Sequence, residues 1–349
     1  MTESHARPAF RLSLTRRNSR EPLSQAAKAL IATALLLIVG AIVAPSTLSA
    51  GAILTMLPFV ATLAVASLGQ HLVIQQRGVD LSVAGLMSLS AVICSAFPSL
   101  DAGPLETAGY VAIALLVGVG VGVLNGVVVT IVRVPALVTT IGVNALLLGA
   151  TMFASRGFAQ QVPLPLSQFG VARVLGIPTT VYVMVAFGAV ATFLIARTTI
   201  GRRFVAASVN PAAAFAVGIP IEKYRIATYV VSGFCYAAAG VLLASYLVSP
   251  TVFCGDPYLL ATIAAVVVGG NSIGGGVRGS VVATMVGAFF LTYLGQLVLS
   301  VGFGTWAQDI VQAVIVVCSS ALPIVARQLR LARDLAGGRA VASQAADAP

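Results

Sequence analysis

Ten apolar stretches follow one another along this chain, near residues 27–44, 52–74, 79–97, 107–132, 136–155, 177–196, 226–247, 258–270, 279–299 and 306–326. A helix that crosses a bilayer needs about 20 mostly apolar residues, and most of the stretches meet that length. Only 9% of the 349 residues are charged and 58% are hydrophobic. A soluble domain carries about 25% charged residues, so these few charges cannot clothe a surface of this size in water. The expectation is an all-α membrane protein of about ten transmembrane helices. It has a basic, disordered tail over 1–25, a transmembrane domain over 26–328 and a second tail over 329–349.

The formal charge of +10 is spread as punctuation between apolar runs. It forms no basic face, so nucleic acid is not an expected partner. Positive charge accumulates on the cytoplasmic side of membrane proteins. With the N-terminus inside, 18 of the 20 Lys and Arg residues fall on the cytoplasmic side, leaving Arg156 and Arg173 outside. Both termini are then cytoplasmic, and the number of crossings is even. The four cysteines (Cys94, Cys235, Cys254, Cys318) and two histidines (His5, His71) are scattered, with no C-x-x-C pair and no ligand cluster. No metal site is expected.

Gly274-x-Gly276-x-x-Gly279 has the spacing of a dinucleotide fingerprint. That motif, however, needs a strand–turn–helix unit and an acid about 20 residues on, and 280–308 contains no Asp or Glu. There is no G-x-x-x-x-G-K-[ST], so this chain carries no nucleotide-cradling loop, and no cofactor is expected in it. An ionisable residue within a membrane segment is a functional candidate by default. Asp80 and Asp309 qualify, although Asp80 stands at a helix start where it can cap free N–H groups and pair with Arg77. Ser82, Asn125, Asn144, Asn271 and Gln296 join them as polar candidates for a translocation path. Gln70, Tyr293 and Gln312 are of the same kind. The alternative use of such groups is hydrogen bonding between helices.

The segment 258–270 is short, and a glycine-rich run from Gly269 to Gly276 follows it. Such an interruption marks either a broken span beside a path or a loop just outside the membrane. Gly78-Val79-x-x-Ser82-Val83-x-x-x-Met87 is matched 198 residues later by Gly276-Val277-x-x-Ser280-Val281-x-x-x-Met285. This is either the trace of an internal repeat or coincidence in Gly/Val-rich sequence. Between 197 and 225, Asn210-Pro211 reads as an N-cap and first helical position, and Gly218 with Pro220 as a stop. A helix of about two turns is marginal alone in water, so Phe215 is expected to seat it in a partner or on its own bundle. Arg202, Arg203, Lys223 and Arg225 flank it, within reach of anionic lipid heads.

Taken together, Gly78-Val79-Asp80-Leu81-Ser82-Val83, Leu124-Asn125-Gly126, Arg133-Val134-Pro135, Thr199-Ile200-Gly201-Arg202 and Asn210-Pro211-x-Ala213-Ala214 resemble the inner-membrane permeases of ribose-type sugar ABC importers. Gly218-Ile219, Ile263 through Gly270, and Gly276-x-x-Gly279-Ser280 continue the likeness over about residues 55–320 in the same order. Asn271 stands where that family usually has threonine, and Leu259 where it often has an acid. The resemblance implies a permease subunit of the bacterial inner membrane that moves a monosaccharide or related polyol. ATP would be hydrolysed on a separate ATP-binding subunit, a periplasmic binding protein would deliver substrate, and a second permease copy would complete the pathway. It also implies a coupling helix at Asn210–Gly218, with Arg202, Asn210, Pro211, Ala213, Ala214, Phe215 and Gly218 as the residues that couple to the ATP-binding subunit. The alternatives are a branched-chain amino-acid permease of the same superfamily and, in a different class, a secondary carrier or channel.

Overall fold

The computed structural model describes residues 24–321 apart from 273, 277, 278, 316, 319 and 320. Most of the two expected tails, and Arg278, lie outside the described residues. Each apolar stretch holds a helix: α1 Gln25–Val43, α2 Ala50–Gln75, α3 Val83–Ala96, α4 Pro104–Val127, α5 Ala136–Ser155, then, after the intervening α6 Leu164–Val171, α7 Thr179–Arg197. There follow α8 Thr199–Val209, α9 Pro211–Ala216, α10 Ile221–Leu247, α11 Tyr258–Val268 and α12 Val281–Ser300. A last helical stretch covers 305–315, and the remainder of the tenth apolar segment is only partly described. Among the described residues, seven helices are long and apolar enough to cross a membrane; α3 and α11 are shorter.

Several boundaries differ from the sequence reading. Residues 79–82 form the turn before α3 because Asp80 binds Ser82 there, as described below. α10 begins five residues earlier than the apolar pattern, since Glu222, Lys223 and Arg225 dilute its first turns without breaking the helix. The stretch between α5 and α7 is not a plain loop. It holds α6 and a small antiparallel hairpin, β1 Arg173–Val174 with β2 Ile177–Pro178. The α4 path closes in a π turn, 128–132, with Arg133 in the left-handed conformation at φ 64°, and Pro135 forbids its continuation.

α2 and α10 form the axis of the bundle and are mostly buried, whereas α1 and α7 leave most of their apolar surface outward, as lipid-facing helices do. Small residues permit the closest approaches. On α4, Gly118, Gly122 and Gly126 lie one turn apart. A Cβ on Gly118 would meet Ala237 Cβ and Gly233 O, one on Gly122 would meet Tyr229 O, and one on Gly126 would meet Ile226 Cα. Backbone contact of this kind substitutes for the hydrophobic driving force that lipid removes. Gly122→Val is therefore expected to destabilise the fold by about 1–3 kcal/mol through overpacking, read as a lower Tm in detergent; an unchanged Tm would contradict this contact.

These contacts run α10 antiparallel to α2 and α4, and α12 antiparallel to α2 and α11. One end of the bundle gathers the C-terminus of α2, the N-termini of α3 and α12, and α8–α9. The opposite end gathers the N-terminus of α2, the C-termini of α10 and α12, and the 250–257 segment.

Candidate functional site

A cavity of about 960 Å³ opens at the end opposite α8–α9. Ligand pockets commonly run about 300–1,000 Å³, so it has room for a small solute. Aromatic and neutral polar groups share its walls. Phe59 of α2 and Tyr246 of α10 meet edge to face, with ring centroids 5.2 Å apart, and Tyr258 opens α11. Gln296 on α12 faces Gln308, Asp309 and Gln312 of the 305–315 helix across the same space. The Gln296 Oε1 is buried with no hydrogen-bond partner among the described residues, while the side chain as a whole lines the cavity. Among the described lining residues the one charged group is Asp309. Beside the cavity, burial pushes the Asp256 carboxyl above its usual range.

The wall on the α2 side is shaped by Pro58, which interrupts the helix hydrogen bonding. The Tyr246 hydroxyl donates to Thr55 O next to that break, at 3.2 Å. Residues 55–63 of α2 therefore combine a weakened helix with direct cavity contact.

Of the polar residues singled out in the sequence, Gln296 and Asp309 line this cavity, as does Gln312. The others lie toward the α8–α9 end or tie helices together. The Ser82 hydroxyl donates to Asp80 Oδ1 at 2.6 Å, and the Ser82 N–H reaches the same oxygen at 2.9 Å. Asn125 of α4 donates its amide to Ser82 Oγ at 2.9 Å, and Ser232 of α10 lies 3.5 Å from Asp80 Oδ2. All four are buried. Asn144 Oδ1 on α5 accepts from Gly85 N at 2.8 Å, capping the first turn of α3 from a neighbouring helix. The expected Arg77–Asp80 pair is replaced: Arg77 donates instead to Val209 O at 3.3 Å. Gln70 accepts from the Tyr236 hydroxyl at 2.7 Å, and Tyr293 meets Thr47 at 2.9 Å.

Asn271 begins the glycine-rich loop. Its amide donates to Val266 O and Thr284 Oγ1, both at 3.0 Å, and its carbonyl accepts from Ser280 N at 2.9 Å. Thr284 also bonds His71 Nδ1 at 2.9 Å. His71 and Asn271 border a small cavity of about 10 Å³. The loop then folds over the end of α2, where Gly276 N reaches Gln75 O at 3.3 Å.

At the same end, Asn210 Oδ1 caps α9 by accepting from Ala213 N at 3.1 Å. The helix closes with Ile219 N on Ala214 O at 3.0 Å and Gly218 N on Phe215 O at 2.9 Å. Gly218, at φ 79°, takes the left-handed position that this closure requires. Ala214 faces inward, while Phe215 stands 74% exposed. Arg202, Asn210, Ala213 and Gly218 are exposed too, with Pro211 half-buried.

α8 was not anticipated from the sequence. It packs Gly201, Phe204, Ala207 and Ser208 inward, a helical spacing visible in the residues but masked by Arg202 and Arg203 between them. Ser208 Oγ donates to Gln75 O at 2.7 Å, and Gln76 Nε2 donates to Phe204 O at 3.0 Å.

Among known proteins, the family model for the branched-chain amino acid transport system permease component matches residues 52–320. The ribose import permease protein RbsC of Escherichia coli K12 is 32% identical over 295 residues, 83% of this chain and 90% of its own length. RbsC of Haemophilus influenzae matches to the same extent. The autoinducer 2 import system permease protein LsrC of Escherichia coli O157:H7 is 29% identical over 77% of each chain. No solved structure matches. With the family model covering most of the chain and seven helices among the described residues long and apolar enough to cross a membrane, this protein belongs to the branched-chain amino acid transport system permease component family and is a multi-pass protein of the inner membrane.

Proposed function

We propose that this chain is the permease of an ABC importer for a monosaccharide or sugar-like polyol, and that the 960 Å³ cavity is its substrate chamber. The carrying observation is the chemistry of the chamber walls: aromatic rings and neutral amides, with no cation among the described lining residues. Sugar hydroxyls pair with amides and a carboxylate, and sugar C–H faces stack on rings. A branched-chain amino acid carries a carboxylate that would meet no positive partner here, and burying an unpaired charge is costly. The similarity to RbsC and LsrC supports the same choice.

In this reading, α9 is the coupling helix. Phe215 enters a groove on the ATP-binding subunit, and Arg202 and Arg203 sit at the lipid headgroups. A second permease copy and a periplasmic binding protein complete the importer, and the cavity faces the periplasm. The ten apolar segments make ten passes of the membrane, with the short helices α3 and α11 extended by non-helical chain, and both termini are cytoplasmic. Cysteine placed at Leu175, 92% exposed at the hairpin tip, should react with an impermeant thiol reagent from outside, and one at Ile200 from the cytoplasm only. Reversed labelling would overturn the orientation.

The substrate test is a binding screen on the partner binding protein with ribose, other monosaccharides and leucine, followed by uptake with the full complex. Leucine uptake without sugar uptake would sink the proposal. Gln296→Leu should then weaken substrate affinity about tenfold, the effect of one lost hydrogen bond of roughly 1.4 kcal/mol. Its Tm should not fall, because the buried Oε1 it removes has no protein partner. Unchanged affinity would remove Gln296 from the site.

A further inference from the structure

Three hydrogen bonds fasten α8 to the C-terminus of α2: Ser208 Oγ to Gln75 O at 2.7 Å, Gln76 Nε2 to Phe204 O at 3.0 Å and Arg77 Nη2 to Val209 O at 3.3 Å. Each comes from a different residue, and together they cover one turn of α2 and the second half of α8. α9 follows α8 after Asn210 alone, so the exposed Phe215 is joined to this clasp by a short, capped segment.

Arg77 brings a strained backbone to the clasp, as Arg133 and Arg156 do at two other helix ends. α2 closes with Gly78 N on Val73 O at 3.0 Å and Arg77 N on Ile74 O at 2.9 Å, the pattern that places a left-handed residue after the helix. Glycine is the customary occupant, because a Cβ is strained there. Here the position is Arg77, at φ 64°, and the adjacent Gly78 is not the left-handed residue. Strain of this kind persists where the surroundings over-determine it, often at switch regions. Its side chain supplies the reason: the guanidinium spans to Val209 O on one side and lies against Gly276 on the other, where any Cβ would stand 2.7 Å from Nη2. The glycine loop and α8 thus both bear on Arg77.

At its other end the same helix supplies Thr55, Met56, Phe59 and Leu63 to the cavity wall, just around the break at Pro58. From Val60 to Gln75 it is almost continuously buried, which suits it to move as a rod. Among the described residues, α2 is joined to α8 by side-chain hydrogen bonds at one end and lines the cavity at the other.

We propose that Arg77, with Gln76 and Ser208, is a positioning clasp that carries movement of α8–α9 into α2 and so to the cavity wall at Thr55–Leu63. This rests on the importer reading above and adds the route by which the ATP-binding subunit reaches the substrate chamber. Arg77 touches neither substrate nor nucleotide.

The test uses the full complex in proteoliposomes, measuring substrate moved per ATP hydrolysed. Arg77→Gly relieves the strained backbone while deleting the clasp. Tm should therefore hold or rise, and the ATP-binding subunit should co-purify as with the parent. Transport per ATP should fall about tenfold, with hydrolysis continuing. Ser208→Ala should lower the same ratio to a lesser degree, and Arg77→Lys, which keeps a donor, should retain more of it than Arg77→Gly. An unchanged ratio in Arg77→Gly would overturn the proposal. So would a loss of Tm or of subunit recovery in step with transport, which would make Arg77 a fold or docking residue. Parent complexes whose uptake is indifferent to ATP would sink the importer reading itself, before any variant is compared.

Discussion

Phe215→Asp is expected to leave the protein at its normal level in the membrane and to abolish ATP-dependent uptake. The side chain is 74% exposed on a six-residue helix whose other members are Pro211 and alanines. Within the fold nothing depends on it: Ala214 faces inward, and Asn210 and Gly218 close the two ends. Burial of a phenylalanine in a partner contributes roughly 1.5–3 kcal/mol, and a carboxylate in that groove would also resist desolvation. Loss of the apolar term alone weakens docking roughly ten- to a hundredfold. Recovery of the ATP-binding subunit with the purified permease should fall with uptake. Uptake equal to the parent at equal expression would show that α9 is not the coupling element.

This helix was legible in the sequence because its signals are local. An Asn-Pro start and a Gly-x-Pro stop fix a short helix whatever lies around it, and the observed caps use those residues. The long helices were legible for a similar reason: a run of apolar residues in lipid has to satisfy its backbone internally. α8 was not, because its inward stripe of Gly201, Phe204 and Ala207–Ser208 is interleaved with two arginines, and its meaning depends on the distant end of α2. The cavity was legible only in its polar members. Gln296 and Asp309 stand out in apolar sequence, whereas Thr55, Phe59 and Tyr246 are ordinary members of apolar runs until α2 and α10 are brought together. The same rule selected Asp80, Ser82 and Asn125, because a polar group that faces a chamber and one that bonds a neighbouring helix look alike in one dimension. The glycine-rich loop carried two readings in the sequence. In the fold it wraps the end of α2, with Gly275 and Gly276 at φ 59° and 70°.

The two carboxylates picked out by that rule now part company in a measurable way. Asp80 is 1% exposed, and its oxygens take the Ser82 N–H and O–H, with Ser232 at the other oxygen. Asp80→Ala would leave the Ser82 N–H without its acceptor and break the chain through which Asn125 of α4 reaches the start of α3. Each buried donor left unsatisfied costs about 1–3 kcal/mol, so a loss of roughly 2–5 kcal/mol is expected, seen as a much lower Tm and reduced membrane level. Asn125→Leu should move the same way to a smaller extent, since it removes one donor and an oxygen that has no partner among the described residues. Asp309 is exposed at the cavity, and Asp309→Asn should shift stability by no more than about 0.5 kcal/mol while altering uptake. Asp80→Ala with a parental Tm and no uptake would reverse the assignment, placing Asp80 on the path and removing it from the set of residues that hold α3, α4 and α10 together.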